Sequence, residues 1–370
     1  MKRQQAGLTM VELLIAMVLS ILVVDGALSL LLANRNLSNT TAGLSAVSDN
    51  GRVAVSFLSE AVRSGGYMAC NATNDLREIV PVGQTRQINI LVPGVTPVQR
   101  NYGFAFGGFE AANSKPGSAL TVAAMPIAGD GNAGDWINAG GLDGLLLGKV
   151  TKGTDVLVVR ESLPQTIPIY TSQPFITATG QVNLNVFSSG NLQPGQFAVI
   201  SNCIVSTAFQ VAAVSATQIG TAGALDQYGG DLLWSYASPA SITAVDMYIY
   251  FIGPGRDTDS SLWVFDEMTQ TFQELVPDVE NMQVLYGVAP TTPNQVTEYL
   301  TADQVVDFNQ IVSVKVGLLV ASPPGVAAVT TATAATVQTF SLLNTTVTPP
   351  LDGRMRKEFD TTITVRSASL

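Results

Sequence analysis

A carboxylate at the start of a long apolar run is the residue in this chain whose position most directly suggests chemistry. Glu12 follows a short basic leader, residues 1–7, and stands just before the apolar run Leu13 to Ala33. An isolated charge in hydrocarbon costs about 2.5–3.5 kcal/mol, so Glu12 needs a partner. If a peptidase cuts between Gly7 and Leu8, the new α-ammonium lies within about one helical turn of Glu12. Glu12 would then neutralise this ammonium or that of a neighbouring subunit.

The remaining chemistry-bearing residues form no recognisable catalytic or metal-binding set. The chain contains no histidine, which excludes Ser-His-Asp and Cys-His catalysis and zinc sites that need imidazole. Residues 129–134 read G-x-G-x-x-G, but no helical segment follows, so we interpret them as a loop. Asp257 and Asp259 could hold calcium. However, Leu262 and Met268 stand where an EF-hand needs glycine and glutamate, which favours a turn. We therefore predict no enzyme activity, no metal and no cofactor.

One long helix is expected to position Glu12. The run Leu13 to Ala33 is long enough, at about 1.5 Å per residue, to cross a hydrocarbon core about 30 Å thick. Residues 34–63 contain no proline and keep apolar residues at helical spacing, so the helix is expected to reach about Arg63. Gly65-Gly66 is a natural stop. The weak helix propensity of Asn34 to Thr41 would allow a local bend there.

Two other interpretations of the N-terminus remain open. A secretory signal peptide also has a basic start and an apolar run, and Leu31-Leu32-Ala33 could be its cleavage site. Such runs are usually shorter and carry no carboxylate. A plain signal anchor explains the basic leader by the positive-inside rule but leaves Glu12 unexplained. Neither interpretation accounts for the spacing of the glycine, the glutamate and the apolar run.

Asp25 is a second carboxylate within the apolar run. An intramembrane carboxylate usually faces a bundle interior or pairs with another group. We expect Asp25 to contact a partner helix, since no basic residue on its own helix can reach it. Protonation, with tolerance as a neutral acid, is the alternative.

After the helix the pattern changes to short β-like runs separated by Gly, Pro, Asn, Asp and Ser, which predicts strands and turns. A helix followed by antiparallel strands predicts an α+β fold with the helix packed on a sheet. Residues 101–154 are interpreted as loops, and Pro323 to Pro350 as a long exposed excursion. The predicted strands are Ile88–Val92, Val156–Arg160, Phe197–Ser201, Ala244–Ile252, Ser261–Phe265, Val279–Val288, Gln310–Ala321 and Phe359–Val365.

Charge and cysteine content restrict the partners and the compartment. The formal net charge is −10 and the basic residues are scattered, which argues against direct binding to nucleic acid. Cys70 and Cys203 are an even pair in a chain whose bulk is expected outside the cytoplasm, so we predict a disulfide between them. The alternative is two unrelated buried thiols.

The N-terminal motif is similar to a known signature. The sequence Gly7-Leu8-Thr9-Met10-Val11-Glu12-Leu13-Leu14 resembles the cleavage and methylation motif of type IV prepilins, usually written G-F-T-L-I-E-L. The resemblance implies cleavage by the prepilin peptidase after Gly7, N-methylation of Leu8, and charge neutralisation by Glu12 in a filament core. Leu8 replaces the usual phenylalanine, and Ser29 stands where major pilins often have a kinking proline, so this helix is expected to run straighter.

Three further segments resemble the PilW group of minor pilins. They are residues 50–67 (N-G-R-V-A, then L, R and G-Y at the group's spacing), residues 279–287 (V-E-N-M-Q-V-L-Y-G) and residues 354–366 (R-M-R-K-E-F-D-T-T with a final R). The order of these motifs implies a type IV pilin-like fold with a large β-rich insertion. The expected organisation is a leader at 1–7, a transmembrane helix half at 8–33, a periplasmic half at 34–66 and a head at 67–370. Within the head, the insertion would span about 71–243 and the C-terminal sheet about 244–370.

The resemblance implies a minor pilin that acts in pilus assembly, in a priming or tip complex that supports twitching motility, adhesion or DNA uptake. The implied partners are other minor pilins, the major pilin, the prepilin peptidase, the inner-membrane assembly platform and a PilY-type tip adhesin. The precursor would span the inner membrane once with a periplasmic head and move to the surface pilus after assembly. A J-type minor pseudopilin of a type II secretion system and a tip adhesin or other binding subunit are the alternatives.

Overall fold

The structure is a computed structural model of the 370-residue chain. It describes residues 10–68, 71–72, 90–91, 105–123, 129, 135–137, 146–170, 175–176, 182–201, 206–221, 240–289, 295–324 and 338–365.

A single long helix, α1, runs from Met10 to Ser64. It is continuous through residues 34–41, so the polar segment does not break it. Gly66 ends it with a φ of 82°, the left-handed conformation that glycine adopts most readily after a helix. The predicted helix and its stop are therefore confirmed. Its buried residues recur at spacings of three and four and form one stripe in the outer half: Gly43, Val47, Gly51, Ala54, Leu58, Ala61 and Val62.

The largest sheet has eleven strands, paired antiparallel except that β3 runs parallel to β10. Its centre is β12, which pairs with β6 along one edge and with β9 and then β13 along the other. The strands are β3 (Ile90–Leu91), β4 (Phe106–Phe109), β6 (Val156–Pro168), β7 (Phe175–Ile176), β8 (Val182–Asn185), β9 (Phe197–Ser201), β10 (Ser206–Val214), β11 (Gln218–Thr221), β12 (Ser241–Gly253), β13 (Ser261–Asp266) and β14 (Thr271–Pro277).

A four-stranded antiparallel sheet follows in the order β16-β15-β17-β20. Every residue of β15 is buried, because α1 and the large sheet cover it from outside. Together with the helix, this sheet gives the predicted α+β arrangement, which is confirmed. The strands are β15 (Val279–Val288), β16 (Glu298–Leu300), β17 (Ile311–Ala321) and β20 (Arg356–Thr364).

Two small sheets complete the described elements. One pairs β1 (Tyr67–Met68) with β2 (Asn71–Ala72), directly after the helix. The other contains β5 (Ala119–Thr121), β18 (Phe340–Leu342) and β19 (Thr345–Thr348), with β5 parallel to β19. A short 3-10 helix at Phe308–Gln310 leads into β17.

The core consists of several clusters. The first joins α1 to the four-stranded sheet and includes Leu58, Tyr286 and Leu318. The second lies around Trp136 and Phe251. A third lies under the far end of the large sheet, where β8 to β12 meet. The helix is therefore anchored by the first cluster, which also includes Leu157, Val159 and Ile252 of the large sheet, while the rest of that sheet packs around the other two clusters.

Two segments predicted as loops contain strands, and those predictions were wrong. Residues 101–154 include β4 and β5, and the excursion 323–350 includes the hairpin of β18 and β19. Leu342 and Val347 in that hairpin are buried, so this part of the excursion packs on the head. The predicted strands at 197–201 and 279–288 have the predicted bounds, and the described parts of the others coincide with observed strands that begin or end at different residues.

The boundary predicted near residue 243 falls inside β12, whose residues on both sides of it pair with β6. The division into leader, helix halves, insertion and C-terminal sheet stays a prediction.

Candidate assembly site

The head does not pack against the N-terminal part of α1. Residues 10–39 all have exposed side chains, although most of them are aliphatic between Leu13 and Ala33. Within the part of the chain that the structure describes, α1 is the helix that is long and apolar enough to cross a membrane. Exposed apolar side chains along about 30 Å of helix require a membrane or other helices around them.

Glu12 and Asp25 both lie on this uncovered part and are exposed. They are separated by about 20 Å along the helix axis and by about 140° around it. A single neighbouring helix packed along one face therefore cannot contact both carboxylates. Gly7 and Leu8, which the sequence predicts as the cleavage and methylation positions, lie outside the described residues.

The outer half of the helix packs closely against the terminal strand, β20, at a glycine. A Cβ atom built on Gly51 would lie only 2.2 Å from two ring carbons of Phe359, which belongs to β20. Only glycine permits this close approach of helix and ring. The preceding residue, Asn50, donates a hydrogen bond from Nδ2 to the carbonyl oxygen of Pro277 at 3.2 Å. The motif at residues 50–67 and the motif at residues 354–366 therefore meet in space.

The end of the helix has a second close contact. A Cβ on Gly65 would lie 2.7 Å from the ring of Phe106 and 3.0 Å from a methyl group of Val159. The next residue, Gly66, donates its backbone N–H to the carbonyl oxygen of Arg160 at 2.9 Å. The Gly65-Gly66 pair thus ends the helix and also fixes it against the large sheet.

Arg356 in the terminal strand, β20, forms a buried ion pair with Glu280 in β15. Both residues belong to segments that resemble PilW. Its Nε and Nη2 atoms donate to the two carboxylate oxygens of Glu280 at 2.7 and 2.9 Å. Nη2 also donates to Asp352 at 2.6 Å. The side chains of Arg356 and Glu280 are only 4% and 6% exposed. Burial alone would lower the pKa of Arg356, but the hydrogen bonds to Asp352 and Glu280 raise it, so the charge is held.

Arg354 clamps the junction between the two main sheets. Asp278 is the one residue between the end of β14 at Pro277 and the start of β15 at Val279, and it has a φ of 61°. Arg354 pairs with Asp278 through Nη2 and with Asp259 through Nη1 at 3.2 Å. These contacts join residues that are more than 70 positions apart in the sequence.

Other residues of the motif at 279–287 also make buried contacts. The hydroxyl of Tyr286 donates to the carbonyl oxygen of Gly107 at 3.0 Å, and Gln283 Nε2 donates to that of Gly153 at 3.2 Å. Burial raises the pKa of Tyr286 well above its usual value, so it remains a neutral donor. In contrast, Arg52 and Glu60 of the first motif have exposed side chains on the helix surface.

A pair of buried acids was not identified from the sequence. Asp155 accepts hydrogen bonds from the backbone N–H groups of Ala111 and Val284 at 2.9 and 2.8 Å. Glu110 lies beside it and accepts from Ser114 at 3.2 Å. Burial, and secondly the charge of Asp155, raises the pKa of Glu110, and burial raises that of Asp155. Glu110 stands in the segment predicted as loops and Asp155 just after it, and no local pattern distinguishes them from surface acids.

The remaining predicted sites are only partly described. Cys70 and Cys203 lie outside the described residues, so the disulfide stays a prediction. Asp259 forms its ion pair with Arg354 in the turn before β13, in keeping with the turn interpretation. Among the residues that the structure describes, no group of three or more Asp, Glu, Cys or His side chains could hold a metal ion. The described residues thus present one exposed apolar helix segment and a folded head.

Comparison with known proteins gives a family for the C-terminal part. Residues 249–367 match the family described as PilW, type IV pilus-assembly protein W. Among solved structures, a type IV-like pilin from Thermus thermophilus is similar. It is 17% identical with a TM-score of 0.20, over 48% of this chain and 87% of that chain. None of the curated proteins matches. The matched segment contains Glu280, Arg354, Arg356 and Phe359, so the resemblance to PilW that the sequence motifs predict is confirmed for this part of the chain.

Proposed function

We propose that this chain is a minor pilin that helps to prime type IV pilus assembly and remains near the pilus tip. The observation that carries the proposal is the division of α1 into two halves. Residues 10–39 are exposed and mostly apolar, whereas the buried stripe from Gly43 to Val62 is fixed to the head. Such a chain can exchange a lipid environment for a bundle of like helices without changing the head's fold.

The precursor would span the inner membrane once, with its head in the periplasm. The prepilin peptidase would cleave after Gly7 and methylate the amine of Leu8. The carboxylate of Glu12 would then neutralise the α-ammonium of Leu8 or that of the neighbouring subunit, since either charge alone is costly in an apolar core. Asp25 would contact a different helix, because it lies on another side of α1 from Glu12.

The size of the head favours the tip over the shaft. The head extends from residue 67 onwards, and it carries an eleven-stranded sheet in addition to the four-stranded sheet on which the helix packs. In a shaft every subunit must have neighbours above and below, whereas a tip subunit has an open side that accommodates a bulky head. Its partners would be other minor pilins, the major pilin, the inner-membrane assembly platform and a PilY-type adhesin.

The processing and assembly steps are tested by the mature N-terminus and by pilus incorporation. Mass spectrometry of the chain from sheared pili is expected to show an N-methylated Leu8 as the first residue. A Glu12→Ala variant is expected to be cleaved normally but to be at least about tenfold depleted from pili, because the ammonium loses its partner. A Ser20→Ala variant, on the same exposed segment, is the matched control and should be incorporated normally.

A mature chain that begins at any other residue would contradict the processing step. Normal incorporation of the Glu12→Ala variant would contradict the proposed role of the carboxylate.

A further inference from the structure

One lobe of the head carries no charge at all. Between Glu161 and Asp226 the sequence contains no Asp, Glu, Lys, Arg or His, in a chain whose net charge is −10. The described part of this segment forms the outer end of β6 and strands β7 to β11, at one end of the large sheet. Charged side chains normally dominate a solvent-facing lobe, so a surface without them needs a reason.

Two exposed aromatic rings stack on each other within this lobe. Tyr170 is 39% exposed and Phe187 is 61% exposed. Their ring centroids are 3.9 Å apart, with an angle of 32° between the planes. Among the described residues beyond α1, these two are the aromatic side chains with large exposure. Because they contact each other, they form one continuous aromatic surface, which we call the Tyr170–Phe187 platform.

The backbone explains why the two rings meet on the solvent side. Ile169 and Val186 form an antiparallel bridge, and the N–H of Tyr170 donates to the carbonyl oxygen of Asn185 at 2.8 Å. Val186 is fully buried, so the residues on either side of the bridge point outward. Tyr170 and Phe187 are then diagonal neighbours on the outer face, within reach of each other. The platform is held by the ladder and by the buried cluster beneath it.

Amide and hydroxyl side chains lie beside the platform. Asn185 Oδ1 accepts a hydrogen bond from Gln218 Nε2 at 3.0 Å, and Ser188 follows Phe187 directly. Gln165 lies over Gly190, where a Cβ would come within 2.6 Å of its Nε2 atom. These groups are uncharged donors and acceptors beside an apolar surface.

We propose that the Tyr170–Phe187 platform binds a neutral glycan. The C–H faces of a pyranose ring are apolar and weakly positive, so they pack on the negative faces of aromatic rings. The sugar hydroxyls at the ring edge exchange hydrogen bonds with amides and hydroxyls such as those of Asn185, Gln218 and Ser188. Phosphorylated, sulfated or nucleic acid ligands would need Lys or Arg side chains, and the segment between Glu161 and Asp226 that forms the described part of this lobe has none.

The direct test is binding of the purified full-length chain to an array of neutral hexose and N-acetylhexosamine oligosaccharides, with sialylated and sulfated oligosaccharides alongside. The detergent must have no sugar headgroup, since an alkyl glycoside would compete. We expect binding to at least one neutral glycan, and a loss of about tenfold or more in affinity for the double variant Tyr170→Ala/Phe187→Ala. Binding should be unchanged between about 0.05 and 1 M salt.

Phe57→Ala is the matched control, because it removes an exposed aromatic ring from the helix surface instead of from the lobe. It should bind the glycan as the wild type does, and Tyr170→Phe should keep most of the affinity. Thermal unfolding of all variants checks that the head remains folded.

Binding to no neutral glycan, binding that the double variant retains, or binding only to charged glycans would overturn the proposal. If the double variant instead loses association with another pilin while glycan binding is absent, the platform is a protein interface and the proposal is wrong. None of these outcomes bears on pilus priming, which the Glu12→Ala variant tests separately.

Discussion

Gly51 and Phe359 are far apart in the sequence and meet where the helix crosses the terminal strand. Both belong to motifs that resemble PilW, so their identity was noted from the sequence. Their contact could not be predicted, because a close approach between helix and strand depends on how the whole sheet is placed. The same holds for Glu110 and Asp155, whose burial results from long-range packing and leaves no local pattern.

The Gly51 contact predicts a specific loss of stability. A Gly51→Ala variant places a methyl group in the space of the Phe359 ring and should lower the free energy of unfolding by about 1–3 kcal/mol. Gly26→Ala is the matched control in the same helix, since nothing lies within 4 Å of a Cβ at Gly26. Denaturant unfolding of the purified chain in detergent measures both variants. Equal stability of the two variants would contradict the close contact.

The buried acids predict a pH dependence of stability. The pKa of Glu110 is raised in the folded chain by burial and then by Asp155, so the folded state holds its proton to higher pH than the unfolded state does. The contribution of Glu110 to the free energy of unfolding is therefore fully present below its unfolded-state pKa of about 4.3. This contribution is lost as the pH rises towards the pKa in the folded state. Each pH unit in that window lowers the free energy of unfolding by up to about 1.4 kcal/mol.

A Glu110→Gln variant cannot lose this proton, so its melting temperature should fall less between about pH 5 and 9 than that of the wild type. Glu298→Gln, at an exposed position, should follow the wild type. Thermal unfolding across this pH range makes the comparison. Parallel pH profiles for Glu110→Gln and the wild type would contradict the raised pKa.

At the scale of elements, the helix was predictable and the short strands were not. A 55-residue helix depends on local spacing, the absence of proline and a glycine stop, all of which the sequence shows. Strand β4 contains two glycines in four residues, which is unfavourable for a strand, and it exists because it pairs with β6. The β18–β19 hairpin turns at Leu343 and Asn344, both with positive φ, and a leucine gives no turn signal.

The buried ion pair between Arg356 in β20 and Glu280 in β15 predicts a specific loss of stability when one of its charges is removed. Arg356→Met leaves the carboxylate of Glu280 buried without its main partner and should cost about 3–5 kcal/mol. The double variant Arg356→Met/Glu280→Met removes both charges and should recover much of this loss. Denaturant unfolding of the single and double variants gives the coupling energy.

Arg256→Met is the control, since the Arg256–Glu274 pair is 3.6 Å long and Arg256 is 67% exposed. Its effect should be within about 0.5 kcal/mol of zero. A double variant no more stable than Arg356→Met alone would show that the pair does not connect the two strands as described.

At the scale of the whole molecule, the chain combines a helix whose outer half packs on the head, a four-stranded sheet and a much larger sheet. The motifs that resemble PilW lie in the first two parts, and the structure shows that they contact one another through Gly51, Phe359, Arg356 and Glu280. The large sheet carries most of the residues for which the sequence shows no resemblance. The anchoring half of the molecule could therefore be predicted from the sequence, whereas the arrangement of the larger lobe depends on non-local pairing.

The number of surface pili in a strain that lacks this chain tests the priming role most directly. Electron microscopy of the deletion strain should show a near-complete loss of pili, restored by the wild-type chain but not by a Gly7 variant that cannot be processed. Normal pilus numbers in the deletion strain would contradict the proposed function. In that case, lost protein secretion would indicate a pseudopilin, and lost attachment alone would indicate a tip adhesin.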